Sequence, residues 1–188
     1  INLLEKMDSG SSEAVVTCYL SGDYPASWRR LEIAIREKLE DFSSHSNGNL
    51  RFQFVDIYES DDRQTIGQNE NRLLELGLSF TRIGYESSGG RTFQNVWPAA
   101  LISCNGKDVP VQFFMSATPQ PTDAMIQESI NSIEYQLSSG LNRALTQDRK
   151  QIAFIEGHGE LPEHEVGDFV MSLEENYGVT RVEIDGKL

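Results

Sequence analysis

The stretch VWPAALISCNGKDVPVQFF, residues 96–114, constrains this chain more than any other. Two apolar runs flank Asn105-Gly106, the preferred pair for a two-residue type I′ turn, so the stretch predicts a tight β-hairpin. Pro110 lies in its second arm and has no N–H to give to a ladder, which places that arm on the outside of a sheet. A long helix follows over 121–147, where Ile126, Ile130, Ile133, Leu137, Leu141 and Leu145 recur at spacings of three and four. A hairpin with one outer arm and then a long amphipathic helix restricts the chain to layered α/β or α+β arrangements.

The residues ahead of the hairpin supply the rest of the pattern. EAVVTCYLSGDYP (13–25) predicts an apolar strand from Val15 to Leu20 and a turn. Trp28, Leu31, Ile35, Leu39 and Phe42 then mark a helix with Pro25 near its first turn. NLRFQFVDIY (49–58) predicts a second strand, in which Phe52 and Phe54 alternate with Arg51 and Gln53; its polar face suits a sheet edge. NENRLLELGL (69–78) reads as a short helix stopped by Gly77, and FTRIGYESSGGRTF (80–93) as a flexible excursion around a Ser-Ser-Gly-Gly tip.

Strand, helix, strand, helix, strand, strand, helix is the order of a thioredoxin-like domain, with the first strand central, the second on one edge and the hairpin on the other side. Trp97-Pro98, directly ahead of AALIS, occupies the place where thioredoxin-like proteins resemble one another in carrying a cis-proline, and a cis peptide is expected there. The fold does not bring the redox chemistry. A thioredoxin-type enzyme needs Cys-x-x-Cys at the start of its first helix, where the helix terminus lowers the thiol pKa, and this chain has SGDYPAS there instead. The two cysteines, Cys18 and Cys104, fall inside strands one and three. On antiparallel neighbours they would lie toward opposite ends, roughly 10 Å or more apart at about 3.3 Å per residue, too far for a disulfide. Buried, unpaired thiols are expected.

After Gln147 the pattern restarts with a strand (151–155), a loop, a helix carrying Val166, Phe169, Val170 and Leu173 with Gly178 as its stop, and another strand (179–184). One β-α-β unit is too small to bury its own sheet, so the expected organisation is a thioredoxin-like domain over 1–148 and the truncated opening of a Rossmann-like domain over 149–188. The loop of this unit, in IAFIEGHGELPEHE (152–165), leaves the carboxyl end of a strand, the edge at which open α/β sheets bind ligands. Glu156, His158 and Glu160 are its candidate ligand-binding residues. A dinucleotide reading fails because Pro162 stands where G-x-G-x-x-G needs its third glycine, and Glu156 and Glu160 would oppose a phosphate. For a metal, His158, Glu160 and His164 would have to converge without a helix-borne H-E-x-x-H, and for acyl chemistry a Cys or Ser nucleophile is missing from the loop. The plain alternative is glycines for the turn and acids for the N-terminus of the next helix. No catalytic residue, metal or cofactor is assigned.

The chain has 29 acidic and 16 basic residues, a formal charge of −13, which argues against a nucleic-acid partner. No apolar run approaches the roughly 20 residues of a membrane span, and no basic segment precedes an apolar one at the start.

YLSGDYPASWRRLEIAIREKLEDFSSHSNGNLRFQFVD, VWPAALISCNGKDVPVQFF, INSIEYQLSSGLNRAL and KQIAFIEGHGEL together resemble the extracytoplasmic region of GldG, the gliding-motility-associated auxiliary component of an ABC transporter in Bacteroidetes. IAFIEGHGEL, in its place after the long helix, is the most specific part. The resemblance implies a non-enzymatic domain at the periplasmic face of the inner membrane, held by flanking membrane helices outside these residues and in contact with permease and ATPase subunits. It also implies an amidotransferase-like second domain without a catalytic nucleophile. The rival reading is a hydrolase or metal-dependent enzyme centred on 156–164.

Overall fold

The computed structural model describes residues 13–60, 62–87, 90–116, 121–146, 150–157, 159–174 and 177–183. The chain is a mixed α/β protein that divides into two compact units, Ile1–Leu145 and Thr146–Leu188. Among the described residues no helix is long and apolar enough to cross a membrane.

The first unit is built on a four-stranded sheet made of β1 (Ala14–Cys18), β2 (Leu50–Phe54), β5 (Ala99–Cys104) and β6 (Lys107–Gln112) in the order β2-β1-β5-β6. β2 runs parallel to β1, whereas β5 and β6 are antiparallel to their neighbours. β2 and β6 are therefore the edges, where the alternating pattern of 49–58 and the ring of Pro110 are tolerated. Asn105 (φ 52°) and Gly106 (φ 77°) form the turn between β5 and β6, both left-handed as a type I′ turn requires.

Strand alternation gives the sheet two different faces. Ala14, Val16 and Cys18 of β1, Ala100, Ile102 and Cys104 of β5, and Val109 and Val111 of β6 enter the main core. Two helices cover this face: α1 (Ala26–His45), which buries Trp28, Leu31, Ile35, Leu39 and Phe42, and α3 (Asp123–Leu145), which buries Ile126, Ile133, Leu137 and Leu141. α1 and α3 also pack on each other. Gly140 lets α3 approach the sheet: a Cβ there would sit 2.4 Å from Val111 Cγ2 and 2.9 Å from Ile102 Cδ1. Cys18 and Cys104 pair with Ala100 and Ala14 respectively, at opposite ends of the β1–β5 ladder, and both are free, buried thiols.

The opposite face receives α2 (Arg63–Glu75). Here the structure corrects the sequence expectation, because the helix starts six residues before Asn69. Asp62 caps it, accepting from the backbone N–H of Gln64 (3.2 Å) and Thr65 (3.1 Å). Gly77, at φ 81°, ends the helical segment as expected. A second correction concerns 80–93, expected as an excursion. Residues Thr81–Ser87 (β3) and Gly90–Val96 (β4) form an antiparallel ribbon instead, inserted between α2 and β5.

A third correction concerns Trp97-Pro98, since no peptide bond among the described residues is cis. The chain turns at Pro98 by another route: Ala99 N donates to Trp97 O at 2.8 Å, closing a three-residue turn around a proline whose ring already holds φ near the value such a turn needs. Phe113 N donates to Pro98 O at 2.8 Å and fixes the turn to the end of β6. A tertiary amide that is turned and anchored in this way keeps its ordinary trans preference of about 0.5–1 kcal/mol.

The second unit contains β7 (Gln151–Glu156), α4 (Glu163–Glu174) and β8 (Gly178–Glu183), with β7 and β8 paired in parallel. Gly178, expected as the helix stop, opens β8; Tyr177 N donates to Leu173 O at 2.9 Å and closes the last turn of α4. Phe154 on β7 meets Phe169 on α4 edge to face, with centroids 6.2 Å apart.

Candidate functional site

Two of the three candidates at the end of β7, Glu156 and Glu160, lie among the described residues. Glu156 is the last residue of β7 and faces Glu183 across the parallel ladder, an unfavourable placement for two carboxylates. Arg181, two residues earlier on β8, relieves it by donating from Nη1 to Glu156 Oε1. The Arg181 guanidinium also stands 5.8 Å from the centre of the Phe154 ring. Glu156 is thus a strand-end ion-pair partner. Gly157 (φ 103°) and Gly159 (φ 92°) carry the backbone through left-handed conformations, and Glu160 is exposed beyond them. His158 lies outside the described residues. His164 is exposed, with Nε2 3.8 Å from Glu165 Oε1. Among the described residues no group of three or more His, Cys, Asp or Glu side chains is placed to hold a metal ion.

A second candidate, missed by the sequence reading, lies in the first unit. The sheet face turned away from α1 and α3 and the underside of α2 enclose a cleft of about 390 Å³. Its floor comes from alternate positions of four strands. Thr17 of β1 registers with Gln53 of β2 and Leu101 of β5, and Ser103 of β5 registers with Asp108 of β6. Gln53 Nε2 donates to Thr17 Oγ1 (3.1 Å), and Ser103 Oγ donates to Asp108 Oδ1 (2.6 Å), so the floor is ordered by cross-strand hydrogen bonds. Tyr19 stands just past β1, Val55, Asp56 and Ile57 just past β2, and Asn69, Arg72 and Leu73 look down from α2.

The roof is held by a chain of polar contacts over a small apolar cluster. Leu73 is buried with Ile57, Leu78, Trp97 and Ala99. Trp97 Nε1 donates to Tyr58 Oη (2.9 Å), Tyr58 Oη donates to Glu70 Oε1 (2.8 Å), and Asn95 Nδ2 donates to the same carboxylate oxygen (3.2 Å). This links the β4 ribbon, the chain after β2, and α2. Burial and the Glu70 carboxylate both push the Tyr58 phenol pKa up. Asp56 is fixed by the backbone N–H of Tyr58, which donates to Oδ1 at 2.9 Å. Partial burial raises the Tyr19 pKa; Arg72 opposes that shift and Asp108 adds to it.

The thiols are not part of either site. Burial pushes Cys18 up to about 12, and Cys104 is raised by the same cause, the reverse of an activated nucleophile.

Residues 1–103 match the model of a family described as a domain of unknown function, DUF7088. No curated protein and no solved structure matches the chain.

Proposed function

We propose that this chain, which belongs to the DUF7088 family, matched over more than half of its 188 residues, is a non-enzymatic, extracytoplasmic domain of an ABC transport assembly that acts through protein contacts. The observation that carries its non-redox character is the state of the thiols: the sheet β2-β1-β5-β6 holds Cys18 and Cys104 buried, apart and with raised pKa values. The resemblance of IAFIEGHGEL and the segments before it to GldG supports the transporter context, with permease and ATPase as partners and anchorage at the periplasmic face of the inner membrane. The finer fold assignment, thioredoxin-like followed by the opening of a Rossmann-like domain, belongs to the same proposal. It is supported by the order β2-β1-β5-β6 and by the parallel β7–β8 pair around α4.

The test is genetic. In the source organism, deleting the coding region for these residues should abolish transport-dependent function, while Glu156→Ala, His158→Ala and Glu160→Ala together should leave most of it. A triple variant that folds normally and loses all function would favour the hydrolase or metal-enzyme reading centred on 156–164.

A further inference from the structure

We propose that the cleft beneath α2 binds a small zwitterion, a free amino acid with an apolar side chain. Three charged residues line it, Asp56, Arg72 and Asp108, and among the described residues none of them forms an ion pair. A guanidinium and two carboxylates that share one cleft without neutralising one another present separated charges of both signs. A carboxylate and an ammonium on one small molecule complement that pattern.

Each carboxylate is held in place and keeps acceptor capacity. Ser103 occupies Oδ1 of Asp108 and the Tyr58 N–H occupies Oδ1 of Asp56, and among the described residues Oδ2 of each has no hydrogen-bond partner. Arg72 comes from the opposite wall, on α2. Tyr19 stands where Arg72 and Asp108 both act on its phenol, so a ligand lying over this ring meets a cation and an anion.

The rest of the lining narrows the class. Val55 is half-buried at the wall, with the buried Leu73 and Leu101 behind it, which leaves one small apolar patch against which an aliphatic side chain can rest. A volume of about 390 Å³ is at the small end of the roughly 300–1,000 Å³ of ligand pockets, suited to one amino acid rather than a folded or extended partner. Two acids against one base disfavour a phosphate or dicarboxylate, and the net charge of −13 adds to that bias. A neutral sugar would leave the charged groups without counter-charges. The inference does not depend on the transport reading.

The experiment is a titration of the isotope-labelled chain with L-leucine, N-acetyl-leucine, leucinamide and glucose, followed by amide resonances. Leucine should saturate shifts at Tyr19, Gln53 and Asn69, and both single-charge analogues should bind about tenfold or more weakly. Arg72→Gln should weaken leucine and spare the residual affinity for leucinamide, while Asp108→Asn should weaken leucine and spare that for N-acetyl-leucine. The inference is overturned if leucine gives no saturable shift at these residues up to about 20 mM, or if glucose or either analogue binds as well as leucine. The wild-type comparison alone decides the matter if either variant fails to fold.

Discussion

The same substitution should have opposite signs in two helices of the first unit. Gly67 lies inside α2 with no heavy atom within 4 Å of a Cβ built on it, whereas one at Gly140 in α3 would stand 2.4 Å from Val111 Cγ2 and 2.9 Å from Ile102 Cδ1. Alanine is favoured over glycine in a helix interior by about 1 kcal/mol, so Gly67→Ala should stabilise by roughly that amount. At Gly140 the same gain is opposed by overpacking. Carbon contacts are comfortable at about 3.5–4.0 Å, so Val111 or α3 must yield by about 1 Å, and a β-branched side chain on a strand has little rotamer freedom to do so. Overpacking costs about 1–3 kcal/mol, which leaves Gly140→Ala destabilised by up to about 2 kcal/mol and separates the two variants by about 1–3 kcal/mol. Urea unfolding followed by tryptophan fluorescence reads the first unit alone, because the two tryptophans, Trp28 and Trp97, both lie in it. At about 3 °C per kcal/mol for a unit of this size, the melting temperatures should differ by roughly 3–9 °C. A Gly140→Ala protein stabilised as much as Gly67→Ala would show that α3 does not sit against β5 and β6 as described.

Other consequences follow from the same contacts. Trp97→Phe removes the donor to Tyr58 and leaves space in a fully buried site, and should cost about 1–3 kcal/mol in the same urea assay. Both thiols should resist Ellman's reagent at pH 8 in the native protein and react in denaturant. Because the Cys18 pKa is raised in the fold to about 12, its burial stabilises fully below the unfolded thiol value near 8.5 and that stability is lost as pH rises toward 12; alkaline titration of Cys18→Ala should show a shallower decline. Asp62 has the opposite sign: its hydrogen bonds to Thr65 and Gln64 hold its pKa down, so its cap stabilises above the usual carboxylate value near 4 and fades below it. The stability gap between wild type and Asp62→Ala should therefore close as the pH falls.

Where packing and local chemistry agree, the sequence was a sufficient guide. The buried residues of α1 are the five marked by its spacing, and Asn105-Gly106 and Pro110 fixed the hairpin and its outer arm without tertiary information. The start of α2 was missed because RQTIGQ has no apolar periodicity; Asp62, with Gln64 and Thr65 behind it, was the available signal. The β3–β4 ribbon was missed because only its first strand shows the pattern: Ile83 and Tyr85 turn toward the main core and Arg82 outward, whereas in β4 Phe93 is 47% exposed with Arg82 over its ring at 5.1 Å. Glu156 drew attention as a loop acid, yet its partner, Arg181, is 25 positions away, and only the β7–β8 register brings the two together. The cleft was hidden more deeply. Thr17, Gln53 and Ser103 each read singly as the polar side of a strand, and their convergence depends on the sheet order and on where α2 lands.

The central claim, that this domain works within a transport assembly through protein contacts, is tested most directly by affinity purification of the full-length protein from native membranes after mild crosslinking, with the copurifying proteins identified by mass spectrometry. An ABC permease and its ATPase should be recovered in near-stoichiometric yield, retained by Glu156→Ala, His158→Ala, Glu160→Ala protein and lost when residues 1–188 are deleted. Recovery of neither subunit from membranes in which the full-length protein is intact would contradict it.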